Sequence, residues 1–591
     1  METFGRARPA PLRVVAWSCA IATVLAALTT AASTADNVTH ISRVGDTPAE
    51  APPSGVDAAL ICRSTPYPSA CETALTSAQA RSARDPFAAS VEFAMARATT
   101  ARALARNLSA PAAPPSGMHD CTELLDISLA QLRDALARSA ADADGATTWL
   151  SAALTNQGTC SDSLAAVPAG AGRDAVRKQV DALAQFIGTA LALHVKRLNG
   201  GSGAPPPGAA AASPTAGTAF PSWLSEHDRR LLESPATDTV TPDAVVARDG
   251  SGTHRSINEA VAAVTAPVVG TTASGGAGGS SRKVIYVKAG RYQESVSISY
   301  HQEGVMLMGD GKGKTIIEGH KSVAAGYTTY ASATVAAKGA GFIAKGVSIV
   351  NSAGPGDGQA VALLVGGDRS VVYQCEIKAN QDTLYAHSNR QFYADDDISG
   401  TVDFIFGNAA VVIQSCNIQA RKPRPGQVAV VTAQGRGDPN QNTGTSIHRC
   451  RITGAPDLGG KTPVYLGRPW RAYARVVVMA STLDGSVAPA GWLPWSGQHS
   501  PPSTLYYGEY GNTGVGAATN GRVTWTGVHT SMSTADATGF TVANFIMGDS
   551  WLSATGAEYT SGLASSSSKT LSIDSSMKSV TRISVGLHAN K

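Results

Sequence analysis

The sequence predicts an all-β parallel solenoid in its C-terminal part, preceded by an all-α four-helix bundle, and three observations carry that reading. From about 243 onward short β-branched runs recur. VVYQCEIKAN, VVIQSCNIQA and SIHRCRITGA each place a cysteine two residues before an isoleucine, with a polar turn beyond. GFIAKGVSIVNS repeats the pattern with Val347 at the cysteine position, so an inward-facing layer recurs at intervals of a few tens of residues. From about 56 to 198, by contrast, Ala and Leu dominate in helix-spaced stretches such as CTELLDISLAQLRDAL and RDAVRKQVDALAQFIGTALALHV. Between the two textures, NGGSGAPPPGAAAASPTAGTA breaks every periodicity and reads as a tether.

Taken in order, residues 1–35 join a basic start, METFGRARPAPLR, to the apolar VVAWSCAIATVLAALTTAAS. This reads as a secretory signal, with an uncleaved signal anchor as the alternative, and directs the chain out of the cell. Asn37 in NVT and Asn107 in NLS are glycosylation sequons in that compartment. The bundle, 52–198, holds Cys62, Cys71, Cys121 and Cys160. Three pairings are possible; the simplest joins Cys62 to Cys71 and leaves Cys121 with Cys160. The linker, 199–240, contains Arg229-Arg230, which is either a processing protease site or a solvated charge pair. The solenoid spans 241–563, and the Ser-rich tail, 564–591, reads as disordered. Cys375, Cys416 and Cys450 read as stacked small core residues, their spacing disfavouring a metal site. A net charge of +4 is too small to argue for nucleic acid, and no later segment could span a membrane.

The chemistry gathers in QDTLYAHSNRQFYADDDISGTVDFIFGN, residues 381–408. Gln359, Asp382 and Asp403 lie 23 and 21 residues apart, each a plausible coil of a solenoid. Neighbouring coils lie about 4.8 Å apart, so the two carboxyls come together and one keeps its proton. Arg468, in YLGRPWRAY, is the natural bidentate partner of Asp403, whose apolar flanks make an unpaired charge costly, and is expected to lower its pKa. Gln359 and Gln381 offer amide donors for an oxyanion. Trp470, Trp492, Tyr330 and Tyr385 offer flat faces for sugar rings, against plain packing on the barrel. Asp395, Asp396 and Asp397 read as a solvated turn rather than a calcium site. Spacing alone leaves a retaining glycosidase open beside an acyl-transfer enzyme, with the glutamines favouring the latter, and a binding-only solenoid remains a third reading.

Ordered motifs from about 243 to 563 resemble the plant-type pectin methylesterases: VVARDGSGTHRSINEAV, GFIAKGVSIVNSAGPGDGQAVAL, QDTLYAHSNRQFY, GTVDFIFGNAAVV, YLGRPWRAYARVV and PAGWLPWSG. The helical part, with CRSTPYPSAC and WLSAALTNQGTC, resembles the inhibitor domain that often precedes such enzymes. The resemblance implies a right-handed parallel β-helix that de-esterifies methylated homogalacturonan in the cell wall without a metal or cofactor. It makes Asp403 the nucleophile, Asp382 the proton donor and later base, Gln381 and Gln359 the oxyanion stabilisers and Arg468 the orienting cation. Thr329, Gln359, Arg468 and Trp470 fall at substrate-contact positions. Implied partners are methyl-esterified homogalacturonan, the chain's own or separate inhibitor domains and a processing protease, with the protein a monomer. One departure stands out: where the family usually reads FYR(D/E)C, this chain has FYADDD, placing Asp396 at the cysteine position. Loss of a disulfide to Cys416 is expected to cost about 2 to 4 kcal/mol, with activity retained.

Overall fold

The computed structural model describes residues 55–77, 85–109, 117–200, 241–266, 282–460, 462–497 and 500–563. The signal segment, Asn37, Arg229, Arg230 and the tail from 564 lie outside the described residues. Two short helices, α1 (Gly55–Cys62) and α2 (Pro68–Leu75), precede four long ones: α3 (Pro86–Leu108), α4 (Gly117–Arg138), α5 (Ala143–Ala165) and α6 (Ala171–Gly200). Asp85 and Asp142 start α3 and α5 by accepting hydrogen bonds from the N–H groups of Ala88 and Gly145. Ala94, Ala98, Ala101 and Ala105 line the inner face of α3 and pack on Leu124, Leu125, Leu132 and Leu150. Small residues there let the helices approach closely. A disulfide joins Cys62 to Cys71, tying α1 to α2, and another joins Cys121 to Cys160, tying α4 to α5. Asn107 is exposed on the last turn of α3. No helix among the described residues is long and apolar enough to cross a membrane.

From residue 244 the chain winds through three parallel sheets of eleven, seven and eight strands, most coils giving one strand to each. This is the parallel β-helix. The helix Ile257–Val264, α7, packs Ile257, Ala260 and Val261 into the core at the first coils. Near the other end Phe540, Val542 and Phe545 cover the outer face of the eleven-stranded sheet. The seven-stranded sheet contains β1 (Val296–Ile298), β2 (Val335–Ala337), β3 (Leu363–Val365), β4 (Leu384–Ala386), β5 (Ile405–Gly407), β6 (Ala429–Gln434) and β7 (Val464–Pro469), side by side in chain order.

The cysteine layer is a hydrogen-bonded ladder. Along one turn of the β-helix, Gln374, Asp395, Ser415, Arg449 and Ala480 all take positive φ. The residue after each points inward, and its backbone N–H donates to the equivalent side chain one coil on. Cys375 donates to Asp396 Oδ1 at 2.7 Å, Asp396 to Cys416 Sγ and Cys416 to Cys450 Sγ at 3.4 Å, Cys450 to Ser481 Oγ at 3.0 Å, and Ser481 to Asn512 Oδ1 at 3.0 Å. Coil length along the ladder is 21, 20, 34, 31 and 31 residues. The reading of residues 395–397 as a solvated turn is therefore corrected at its centre. Asp397 pairs with Lys312 at 2.9 Å, but Asp396 is 1% exposed because the ladder needs an acceptor there. Burial pushes its carboxyl well above the ordinary range. Asp396→Ala is expected to cost about 1–3 kcal/mol by orphaning the Cys375 N–H, and Asp396→Asn, which keeps an acceptor, less. Denaturant midpoints of the two variants check the ranking.

Candidate active site

Alternation along the seven-stranded sheet sends Leu363, Leu384 and Ile405 into the core and leaves their neighbours on the outer face. Strand register lines up Ala336, Leu364, Tyr385, Phe406, Ala433 and Arg468 in one outer row. Tyr385 stacks on Phe406 with ring centroids 4.1 Å apart, giving the row an aromatic centre. Asp382 and Asp403 precede β4 and β5 by two residues each, and the pairing of Leu384 with Ile405 keeps them in register. The Asp382 N–H donates to the Val402 carbonyl at 3.1 Å. Both aspartates take left-handed backbone, φ 62° and 52°, a conformation that costs an L-residue energy and clusters at functional sites.

Arg468 reaches back along the row to Asp403. Its Nε and Nη2 donate to the two carboxylate oxygens at 2.8 and 2.6 Å, a bidentate pair. Asp403 is 5% exposed, and burial raises its pKa while Arg468 opposes the rise. The expected depression is thus corrected: burial outweighs the guanidinium. Asp382 has no such partner. Burial first, then the charge of Asp403, push its carboxyl well above the ordinary range, so it holds a proton. The two acids thus sit in different surroundings, Asp403 in the grip of a guanidinium and Asp382 without one.

A cavity of about 430 Å³ opens over these groups, lined by Thr329, Gln359, Gln381, Asp382, Asp403, Arg468 and Trp470 among others. Gln359 pairs across coils with Gln381, not with Asp382, because the chain between Gln359 and Leu363 holds one residue more than the stretch from Gln381 to Leu384 that pairs with it. Trp470 lies on Gly435, where a Cβ would come within 2.8 Å of the indole. Trp492, expected at the substrate, is 1% exposed and stacks on Tyr507 inside the coil at 4.2 Å. Trp495 takes the place at the cleft, its ring 4.5 Å from the Arg468 guanidinium. Sequence reasoning also missed Phe406, which strand alternation in DFIFG could have revealed.

The far wall of the cavity is α5, which contributes Thr159, Asp162 and Ser163. Thr159 Oγ1 lies 2.9 Å from His387 Nε2 and 3.3 Å from the Tyr385 hydroxyl. Asn408 donates to Thr155 Oγ1 at 2.9 Å, Gln441 to the Ser151 carbonyl at 2.9 Å, and Thr328 to Asp120. Burial pushes Asp120 up to about 6, with Glu123 reinforcing the rise and Thr328, Ser163 and His119 opposing it.

Residues 243–549 match the family described as Pectinesterase, and residues 56–193 the family described as Plant invertase/pectin methylesterase inhibitor. The probable pectinesterase/pectinesterase inhibitor 35 of Arabidopsis thaliana is 47% identical over 490 residues, covering 81% of this chain and 88% of the relative. Pectinesterase 2 of Citrus sinensis is 42% identical over 517 residues, 85% of this chain and 94% of that one. The solved pectin methylesterase from carrot aligns with a TM-score of 0.52 at 51% identity, matching 55% of this chain and 100% of its own. With the paired acids, the Arg468 fork and the parallel β-helix already in place, these likenesses settle the family: the chain belongs to the pectinesterases, with an inhibitor-type bundle ahead of the β-helix.

Proposed function

We propose that this protein removes methyl esters from cell-wall homogalacturonan, giving methanol and free galacturonate carboxylates. The observation that carries the reading is the Arg468 fork on Asp403 beside an Asp382 that lacks such a partner and whose carboxyl burial pushes well above the ordinary range. Asp403 attacks the ester carbonyl, and the amides of Gln359 and Gln381 stabilise the oxyanion. Collapse expels the methoxy group, which takes the Asp382 proton and leaves as methanol. The resulting anhydride on Asp403 is cleaved by water, whose proton passes to Asp382, restoring both acids. Thr329, Trp470 and Trp495 supply the walls that hold the polymer. Incubation with highly methylated pectin should release methanol in step with acid. New reducing ends without methanol would mean glycosidic cleavage and overturn the reading.

In the intact chain the bundle lies across the candidate cleft, which supports a closed, export-competent form opened by removal of the bundle. Arg229-Arg230 is the proposed cleavage point, the chain being delivered to the cell wall by its N-terminal signal. Intact protein is expected to release methanol at less than about a tenth of the rate of protein cut in the linker and freed of its bundle. Equal rates for the two would remove the bundle's inhibitory role.

A further inference from the structure

A second contact between the bundle and the β-helix stands apart from the cleft. The loop between α1 and α2, closed by the Cys62–Cys71 disulfide, carries Tyr67, whose hydroxyl donates to Asp438 Oδ2 at 3.1 Å. Burial, reinforced by Asp438, raises the Tyr67 pKa and keeps the phenol a donor. The ring lies on α6 at Gly188. A Cβ there would come within 2.5 Å of Tyr67 Cε2 and 3.4 Å of Asp438 Oδ2, so α6 admits the tyrosine only where it carries no side chain. Asp438 is 1% exposed, in the loop that follows β6, and hydrogen bonds within the β-helix shape that loop. Asn440 donates twice to Asp438 Oδ1, at 2.8 Å from its backbone and 3.1 Å from its amide, while Gln441 Oε1 accepts from the N–H groups of Gly437 and Asp438. Oδ2 is thereby left to the phenol. Neither Tyr67 nor Asp438 lines the cavity over the acids; both line a second cavity of about 200 Å³, with Thr155 of α5 and Ala184 of α6.

We propose that Tyr67, Gly188 and Asp438 form a latch that fastens the bundle to this β-helix, and that the surface around Asp438 fits inhibitor-type bundles with a tyrosine in the first disulfide loop and a glycine opposite it. The proposal deepens the closed-chain reading and rests on it. Where α5 walls the cleft, threonine hydroxyls and a backbone carbonyl make the contacts, groups that many polar helices could supply. The latch is narrower in its demands: a phenol of fixed reach, a bare helix surface beneath it and a carboxylate oxygen kept open by Asn440. A hydrogen bond to a charged acceptor is worth roughly ten- to a hundredfold in affinity. A bundle without the tyrosine would still cover the cleft but would bury Asp438 with an idle oxygen. The β-helix thereby selects its own bundle over others of the same fold.

The test uses the full chain with a protease site introduced between residues 201 and 240, cut and left unseparated. Retention of the bundle on dilution is followed by analytical ultracentrifugation, and methanol release from highly methylated pectin is measured in the same samples. Tyr67→Phe and Asp438→Asn should each shed the bundle at about tenfold higher concentration than the wild type or more, and the double variant should lose little beyond either alone. Gly188→Ala should loosen the bundle at least as much, yet add nothing in a Tyr67→Ala background, where the ring it would strike is gone. The β-helix has cores composed of its own residues, and once separated its Asp438→Asn variant should release methanol at the wild-type rate. Equal retention in the wild type and Tyr67→Phe overturns the latch, as do fully additive losses in the double variant. Equal methanol release from retained and separated protein would instead overturn the closed-chain reading, with retention still reporting on the latch.

Discussion

Asp403→Asn is expected to lower turnover by about 10⁴-fold or more while the β-helix remains folded. The substitution keeps the shape and one acceptor for Arg468 but removes the anionic oxygen that would attack the ester. An amide cannot form the anhydride, so the loss should fall on kcat, with KM little changed. Methanol release measured alongside circular dichroism separates this from misfolding. A variant that turns over within tenfold of wild type would mean that Asp403 is not the nucleophile.

Arg468→Ala acts on the same carboxylate from the other side. Asp403 would be left buried without its bidentate partner, costing about 3–5 kcal/mol of stability, and burial would then act on its pKa unopposed. A nucleophile that must be ionised loses activity wherever pH lies below its pKa, so the acid limb of the pH–rate profile should move to higher pH. Turnover at neutral pH should fall about 10²- to 10³-fold. Arg468→Lys, which keeps charge but not the fork, should fall between the two. A rate loss with an unmoved acid limb would show that Arg468 serves only to bind substrate.

Much of this site was legible because a parallel β-helix converts residue spacing into stacking. A separation of 21 between Asp382 and Asp403 matches the coil that carries β4 to β5, and the recurring Cys-x-Ile marks the layer that holds the coils in step. Spacing failed where a single residue slips: Gln359 pairs with Gln381, one place away from the acid. It also failed at GWLPW, where both tryptophans suit a sugar and only the curl of the chain sends Trp492 inward and Trp495 toward Arg468. Asp396 looked like part of an acidic turn because charge suggests water, whereas its backbone position demands a side-chain acceptor inside the coil. The wall contributed by α5 was beyond reach, since Thr159 meets His387 across 228 residues with no shared period.

The intervals of the inner ladder bear on how this enzyme could be altered. Around Asp396 they shrink to 21 and 20 residues, whereas beyond Cys416 they lengthen to 34 and 31. The stretch carrying both acids thus has no spare chain in which to hide an added residue, and one extra position between them would turn alternate side chains to the wrong face. Grafted peptides and lengthened loops belong downstream, between Cys416 and Cys450, where the thread already carries slack.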